Sequence, residues 1–451
     1  MKKRIPALAV MACMAVACQN DDSNDTFINP INHVIAVTYN EDFGSLAASN
    51  ASVTLTNLED GKVYTVTTDN TGVSSTAILP GTYNVAATLS LTPEAYFAFT
   101  GQEVEDNIVF NASVQNKTIT ATATDTTKLS LVTGRVGSLL LKQVYFAGSH
   151  NKLGANYRDQ FVEIYNNSNE TLYLDGLCFA QLKGEGSTSS VIASYSLPNG
   201  QYDWRQSIGQ TKGENSNTGY VYAEEVLRIP GSGTQYPLAP GKGAILAATA
   251  VNHKAPLVGK DVKGNTVTYE VPEPDRTIDL SKAPFEAYYQ EYFKALGQNY
   301  AASDIDNPAS VNVQIVFKSF AGDDLILDTN GRDAFAIFYA DDVTIASWAA
   351  LPLPSITADK LEGTKARYVQ VPNDVVIDAV EIQNDDPSKP KPKRVADVLD
   401  AGETFAPAGK LSSQSVIRKV SKTIGDRVIF QDTNNSTNDF IPSDRPQVVI
   451  E

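Results

Sequence analysis

The sequence is short of the side chains that most often carry out chemistry. Its 451 residues include 3 cysteines, 3 histidines, 3 methionines and 2 tryptophans. Three cysteines cannot build a disulfide framework. His33, His150 and His253 are spread too widely along the chain to suggest a converging transition-metal site. No His-x-x-x-His, Cys-x-x-Cys, glycine-rich phosphate loop or Gly-x-Ser-x-Gly elbow occurs. Positive charge is scarce as well: 36 Lys and Arg stand against 52 Asp and Glu, a formal net charge of −16. Nucleic-acid recognition needs a concentrated basic face, so this balance argues against nucleic acid as a partner. With 42% hydrophobic residues and a mean hydropathy of −0.19, the chain reads as neither a polytopic membrane protein nor a wholly disordered one. Its length predicts two or three domains with room for a sizeable core.

What is present begins with an address. Met1-Lys2-Lys3-Arg4 precedes an apolar run, Ile5 to Ala17, and then Cys18. A basic start, a short apolar stretch and small residues describe a secretory signal, too short for a membrane-spanning anchor. Ala15-Val16-Ala17-Cys18 resembles the bacterial lipobox, which implies removal of residues 1–17 and lipidation of Cys18. The alternative is an ordinary signal in which Cys18 is incidental. Gln19, Asn20, Asp21 and Asp22 open an acidic tether (18–32) that resembles the export tag of Bacteroidetes surface lipoproteins. The expected location is therefore the outer membrane, lipid-anchored through Cys18 and facing outward. Removing Lys2, Lys3 and Arg4 leaves the remainder more acidic still. Cys178, flanked by Leu177 and Phe179, is expected to be a small buried core residue.

From His33 to about residue 124 the chain alternates apolar and polar residues in short runs. These are Val34–Tyr39, Val53–Asn57, Val63–Thr68, Val73–Leu79, Thr82–Leu89, Ile108–Val114 and Thr118–Ala123. Asp60-Gly61, Asn70-Thr71-Gly72 and Pro80-Gly81 punctuate them as turns. The fold class read here is mainly β, opening with an antiparallel sandwich over 33–124. Ala51–Leu55, Thr68–Gly72 and Leu79–Val85 resemble the carboxypeptidase-regulatory-like domain, which implies a transthyretin-like spacer or docking module without catalysis. Residues 125–135 read as a linker. Within it Asp125-Thr126-Thr127 resembles a Bacteroidetes O-glycosylation acceptor, making Thr126 the candidate.

A second, larger unit is expected over 136–446. Gly137–Phe146 reads as a buried strand. Phe161–Asn166 and Leu172–Leu177, joined by a polar turn, read as a hairpin. These segments, with Tyr236–Ala247, Ser415–Lys419 and Asp432–Phe440, resemble a lamin-tail domain: an immunoglobulin-like β-sandwich, here carrying long insertions. Beyond these parts, Arg158–Phe161, Asn252–Pro256, Ala302–Pro308 and Asp432–Phe440 resemble an uncharacterised Bacteroidetes lipoprotein family, domain of unknown function 4876. That resemblance implies an address and an architecture, but no mechanism. Pro284–Leu296 spaces Phe285, Tyr288, Tyr289, Tyr292 and Leu296 at steps of 3 and 4, predicting a helix stopped by Gly297. Asp385–Arg394 reads as an exposed loop.

Acidic side chains supply the remaining candidates. Asp328, Asn330 and Asp333 offer oxygen ligands for Ca²⁺, but without EF-hand spacing; a hairpin turn at Asn330-Gly331 is the simpler reading. Asp432–Asp439 either lines a ligand site or satisfies backbone groups in a long turn. Glu163 is expected to pair with Arg418. Trp204, Trp348, Tyr288 and Tyr292 are the aromatic candidates for ligand contact. No cofactor is called for, and no catalytic or metal residue is assigned. The leading expectation is a non-enzymatic surface lipoprotein. It would bind a small nutrient, glycan or metallophore, or assist an outer-membrane TonB-dependent receptor. A structural or adhesive cell-surface role is the alternative, followed by a hydrolase built on a carboxylate pair.

Overall fold

Alternation in the first part of the chain becomes strands with one face in the core. β1 (Ile31–Tyr39) turns His33, Ile35, Val37 and Tyr39 inward and leaves the residues between them half-exposed. The computed structural model describes residues 29–39, 43–100, 107–122, 126–133, 139–168, 170–183, 194–198, 200–319, 323–386, 389 and 392–449. Cys18 and Gln19, Asn20, Asp21 and Asp22 lie outside the described residues. The described chain is mainly β, with short helices at its margins.

After β1 come β2 (Ser52–Asn57), β3 (Val63–Thr67), β4 (Val73–Ile78), β5 (Gly81–Leu91), β6 (Ile108–Ile119) and β7 (Thr126–Thr133). Their lateral order is β3-β2-β5-β6-β7-β1-β4. β7 runs parallel to β1 over Thr126–Leu131, then meets β6 at Asn111 and Phe110. It thereby passes from one layer to the other over a core that includes Ile35, Val53, Leu55, Val85, Phe110, Leu129 and Leu131. The Asn70–Gly72 turn forms as expected. Asp69 Oδ1 accepts from the Thr71 and Val73 amides, and Gly72 sits at φ +74° against the Val37 carbonyl.

Two expectations change here. Residues 108–119 form one strand with an irregular register opposite β5, rather than two strands. Residues 126–133, placed in the expected linker, form β7. Its Leu129 and Leu131 enter the core, and the Thr127 hydroxyl lies 2.8 Å from His33 Nε2. Polar residues around those two leucines hide the alternation.

The larger part is two facing sheets. The back sheet contains β8 (Leu139–Tyr145), β9 (Phe161–Asn166) and the strands Gly243–Ala247, Ser415–Arg418 and Phe440–Ser443. The front sheet centres on Leu177–Lys183, Tyr220–Arg228, Asp333–Tyr339 and Val376–Glu381. Val144, Val162, Ile164 and Leu246 from the back meet Phe179, Leu227, Phe335 and Ile337 from the front. The outer faces are covered too. Ile345 and Val395 lie over Cys178 and Phe338 at the front, and Ile278 and Leu280 lie over Phe161 and Tyr145 at the back. Sheets buried on both faces lose the alternating pattern, which is why Phe161–Asn166 is buried at every position.

The expected hairpin from β9 into Leu172–Leu177 does not form. β9 pairs with β8 and with Gly243–Ala247, while Leu177–Lys183 crosses to the front sheet. Asn166 directs the departure: its Nδ2 donates to the Glu170 and Leu238 carbonyls, and its Oδ1 accepts from the Ser168 amide. The helix expected over 284–296 shrinks to Gln290–Ala295. Phe285 and Glu286 instead join the back sheet between Gly243–Ala247 and Val311–Asn312. Glu286 then accepts from the Ala250 and Asn307 amides, contacts that helical backbone would forfeit. Within Asp385–Arg394, Lys393 and Arg394 are buried, and Arg394 pairs with Glu381 at 3.1 Å. That loop is anchored at its basic end.

Candidate ligand-binding groove

Beside Gly243–Ile245, at the margin of the back sheet, lies a groove of about 570 Å³, within the usual range for small-molecule sites. It begins with a register irregularity. Between β8 and β9, Leu141 faces Ile164 and Gln143 faces Glu163, so Lys142 is the extra residue of a bulge. Bulges re-aim side chains. Here Lys142 lies against Glu163, its Nζ 2.8 Å from Glu163 Oε1. The ammonium also stands over the rings of Tyr165 and Phe430, 5.5 and 5.4 Å from their centroids. Tyr165 and Phe430 meet edge to face at 4.8 Å.

The opposite wall comes from Tyr236 and Phe285, also edge to face, at 5.3 Å. Phe430 belongs to the short hairpin Val420–Ile424 and Arg427–Phe430. That hairpin is held to β9 by the Tyr165 hydroxyl donating to the Val428 carbonyl at 2.7 Å. Gly243 completes the floor. A Cβ there would stand 2.2 Å from Glu163 Oε1, so only a residue without a side chain lets the carboxylate lie across the strand.

Glu163 is 1% exposed, yet its Oε2 has no hydrogen-bond partner among the described residues. Burial pushes its pKa upward and Lys142 pulls it back. An unsatisfied buried acceptor costs about 1–3 kcal/mol, which a donor arriving from outside would relieve. Lys242 and Lys282 also line the groove, leaving Glu163 as its one carboxylate among the described residues.

The expected Glu163–Arg418 pair is thus replaced by Glu163–Lys142. Arg418 belongs to a different assembly, where its guanidinium meets Asp378 at 2.7 Å, Asp432 at 3.2 Å and Asp439 at 3.3 Å. It also donates to the Leu141 and Gln431 carbonyls. The polar run 432–439 serves its own turn: Asp439 accepts from the Thr433 amide and hydroxyl, and Asn435 caps the short helix Ser436–Asp439. Phe440 enters the core.

The aromatic candidates are scattered. Trp204 stacks on Tyr222 at 3.7 Å within a cluster that includes Tyr202 and Tyr368, so its ring belongs to the core. Trp348 packs on Phe338 at 5.8 Å, on the outer face of the front sheet. Tyr292 meets Phe293 edge to face at the core's margin. Tyr288 lines a separate recess of about 310 Å³ beside Asp304 and Asp306. The groove's own aromatics, Tyr165, Tyr236, Phe285 and Phe430, are not among those candidates. Glu163 was legible as a charged residue in an apolar strand, and that was the usable signal.

Asp328, Asn330 and Asp333 do come together, as a turn. Asp328 accepts from the Asn330 amide and pairs with Arg332, while Asp333 accepts from Gln181 and the Asp328 amide. Both Asp328 oxygens and Asp333 Oδ2 are spent on protein donors. No group of three or more His, Cys, Asp or Glu is arranged to hold a metal among the described residues. Thr126 sits at the start of β7 opposite Val34, half-buried. Cys178 is buried, which pushes its thiol up to about 12. His253 is buried with Nε2 2.9 Å from the Thr249 carbonyl, and burial pushes its pKa down to about 4.

Residues 239–447 match the model of a family described as a protein of unknown function. The match is to DUF4876. A crystal structure of a DUF4876 family protein from Bacteroides thetaiotaomicron is similar over nearly the whole chain. It is 26% identical, with a TM-score of 0.52, and the alignment covers 94% of this chain and 96% of that one. The resemblance to this family read from the sequence is borne out. No curated protein matches. The groove straddles the start of the DUF4876 match: Gly243, Phe285 and Phe430 lie inside it, whereas Lys142, Glu163 and Tyr165 precede it.

Proposed function

We propose that this chain is a lipid-anchored, outward-facing protein of the outer membrane that captures a small ligand in the Glu163 groove without transforming it. It would do so alone or as accessory to a TonB-dependent receptor. The observation that carries the reading is the unpartnered Oε2 of Glu163, buried at the floor of an aromatic-walled groove of about 570 Å³. Proteins seldom leave such an acceptor unsatisfied without use. Anchoring rests on the lipobox-like Ala15–Cys18 and the acidic residues after it. A nutrient, a glycan and a metallophore are the ligand classes in view.

The test purifies the full lipoprotein from outer membranes under mild detergent. Native mass spectrometry then reads retained small molecules and co-purifying receptor. A glycan and metallophore panel is titrated in parallel. Retention of a ligand that is lost in Phe285→Ala supports capture. An empty protein, no receptor and no binding across the panel would overturn it.

A further inference from the structure

The reading above, that the groove captures a small molecule, leaves its chemistry open, and the walls narrow it. We infer that the ligand is an apolar ring compound with a neutral hydroxyl donor at one end and an anionic group at the other.

The ring body follows from Tyr236 and Phe285, with Leu174, Leu238 and Ile245 beside them. Such walls reward flat apolar faces and leave polar ones without partners. The donor follows from Glu163, whose Oε1 is taken by Lys142 while Oε2 waits. The donor must be neutral. A cation reaching Glu163 would meet the Lys142 ammonium, which already covers the faces of Tyr165 and Phe430. The anionic end follows from charge: Lys142 balances the one carboxylate of the groove and Lys282 adds a further cation at its rim, on a chain whose net charge is −16. An otherwise acidic molecule thus carries a locally positive cleft, which draws an anion that the remaining surface repels. Lys282 is exposed, so the anion belongs at the mouth, away from buried Glu163.

Three probes separate these elements: 6-hydroxy-2-naphthoate, 2-naphthoate without the hydroxyl, and 2-naphthol without the carboxylate. Isothermal titration of the full chain should give 6-hydroxy-2-naphthoate the highest affinity. Its lead over 2-naphthoate should be about tenfold, what one relieved buried acceptor supplies. Glu163→Gln should shrink that lead to about threefold or less. Lys282→Gln, on the exposed rim, should weaken both naphthoates and leave 2-naphthol unchanged. If Glu163→Gln does not fold, the wild-type ranking and Lys282→Gln still decide. Equal affinity for the two naphthoates in the wild type overturns this inference while leaving ligand capture standing. Preference for 2-naphthol over 6-hydroxy-2-naphthoate overturns the anionic end. Capture itself is decided separately by the membrane-purified protein.

Discussion

Replacing Arg418 with Met strips the cation from a buried cluster of three carboxylates. The guanidinium ties Asp378 on the front sheet to Asp432 and Asp439 near the end of the chain, and Arg418 itself lies on the back sheet. It is 3% exposed, so water cannot replace it. Breaking one buried pair by removing a partner costs about 3–5 kcal/mol. Three stranded carboxylates, and the Leu141 and Gln431 carbonyls left without a donor, place Arg418→Met at the upper end, about 5 kcal/mol. The cost should depend on pH. Burial, against the pull of Arg418, holds the Asp378 pKa up at about 7. A carboxyl raised above its unfolded value of about 4 contributes stability that is complete below that value and is lost as pH rises through 7. Without Arg418 the Asp378 carboxyl is raised further, so the variant should be worst at pH 8 and recover toward pH 5. Urea unfolding followed by tryptophan fluorescence reads this, because Trp204 and Trp348 both lie in the larger part. A cost below about 1 kcal/mol, or one that is the same at pH 8 and pH 5, refutes the reasoning.

Three further outcomes are expected. Trp204→Ala empties a cluster with Tyr202, Tyr222, Leu351 and Tyr368 and should cost about 3–5 kcal/mol in the same urea assay. Gly243→Ala forces the Glu163 carboxylate aside, so calorimetry should show the hydroxyl preference abolished; overpacking should add about 1–3 kcal/mol of instability. His253, its pKa lowered to about 4 by burial, contributes stability that is present above its unfolded value near 6.5 and is lost as pH falls through 4. Its imidazole carbon–proton signals should therefore stay fixed between pH 7 and 5, and a normal titration there would contradict its buried setting.

Legibility followed the range of the forces involved. Val63–Thr67 and the Asp69–Gly72 turn were readable because strand alternation and Asx turns are set by residues a few positions apart. The Asn330-Gly331 turn, closed by Asp328 and Asp333, was readable for the same reason. The expected hairpin is not there: Leu325–Leu327 form no strand, and Asp333–Tyr339 pairs with Leu177–Lys183 and Val376–Glu381. β7 was missed because the polar residues beside Leu129 and Leu131 resemble a linker until β1 lies alongside. The aromatic spacing of 284–296 fits a helix, but sheet pairing at Phe285 and Glu286 prevailed, since neighbouring strands supply hydrogen bonds that local spacing cannot announce.

The same division runs through the groove. The sequence by itself determined that the chain is β-rich, acidic and poor in metal-binding and nucleophilic side chains. It also determined that Glu163 would lie in an apolar strand, because composition and period-two patterning are properties of neighbours along the chain. Only tertiary structure decided that Glu163 faces Lys142 rather than Arg418. A one-residue bulge in β8 re-aims Lys142, and strands from widely separated parts of the chain bring Gly243, Phe285 and Phe430 around it. Which charge neutralises a buried carboxylate depends on distances of a few ångströms in space, and separation along the chain does not encode them.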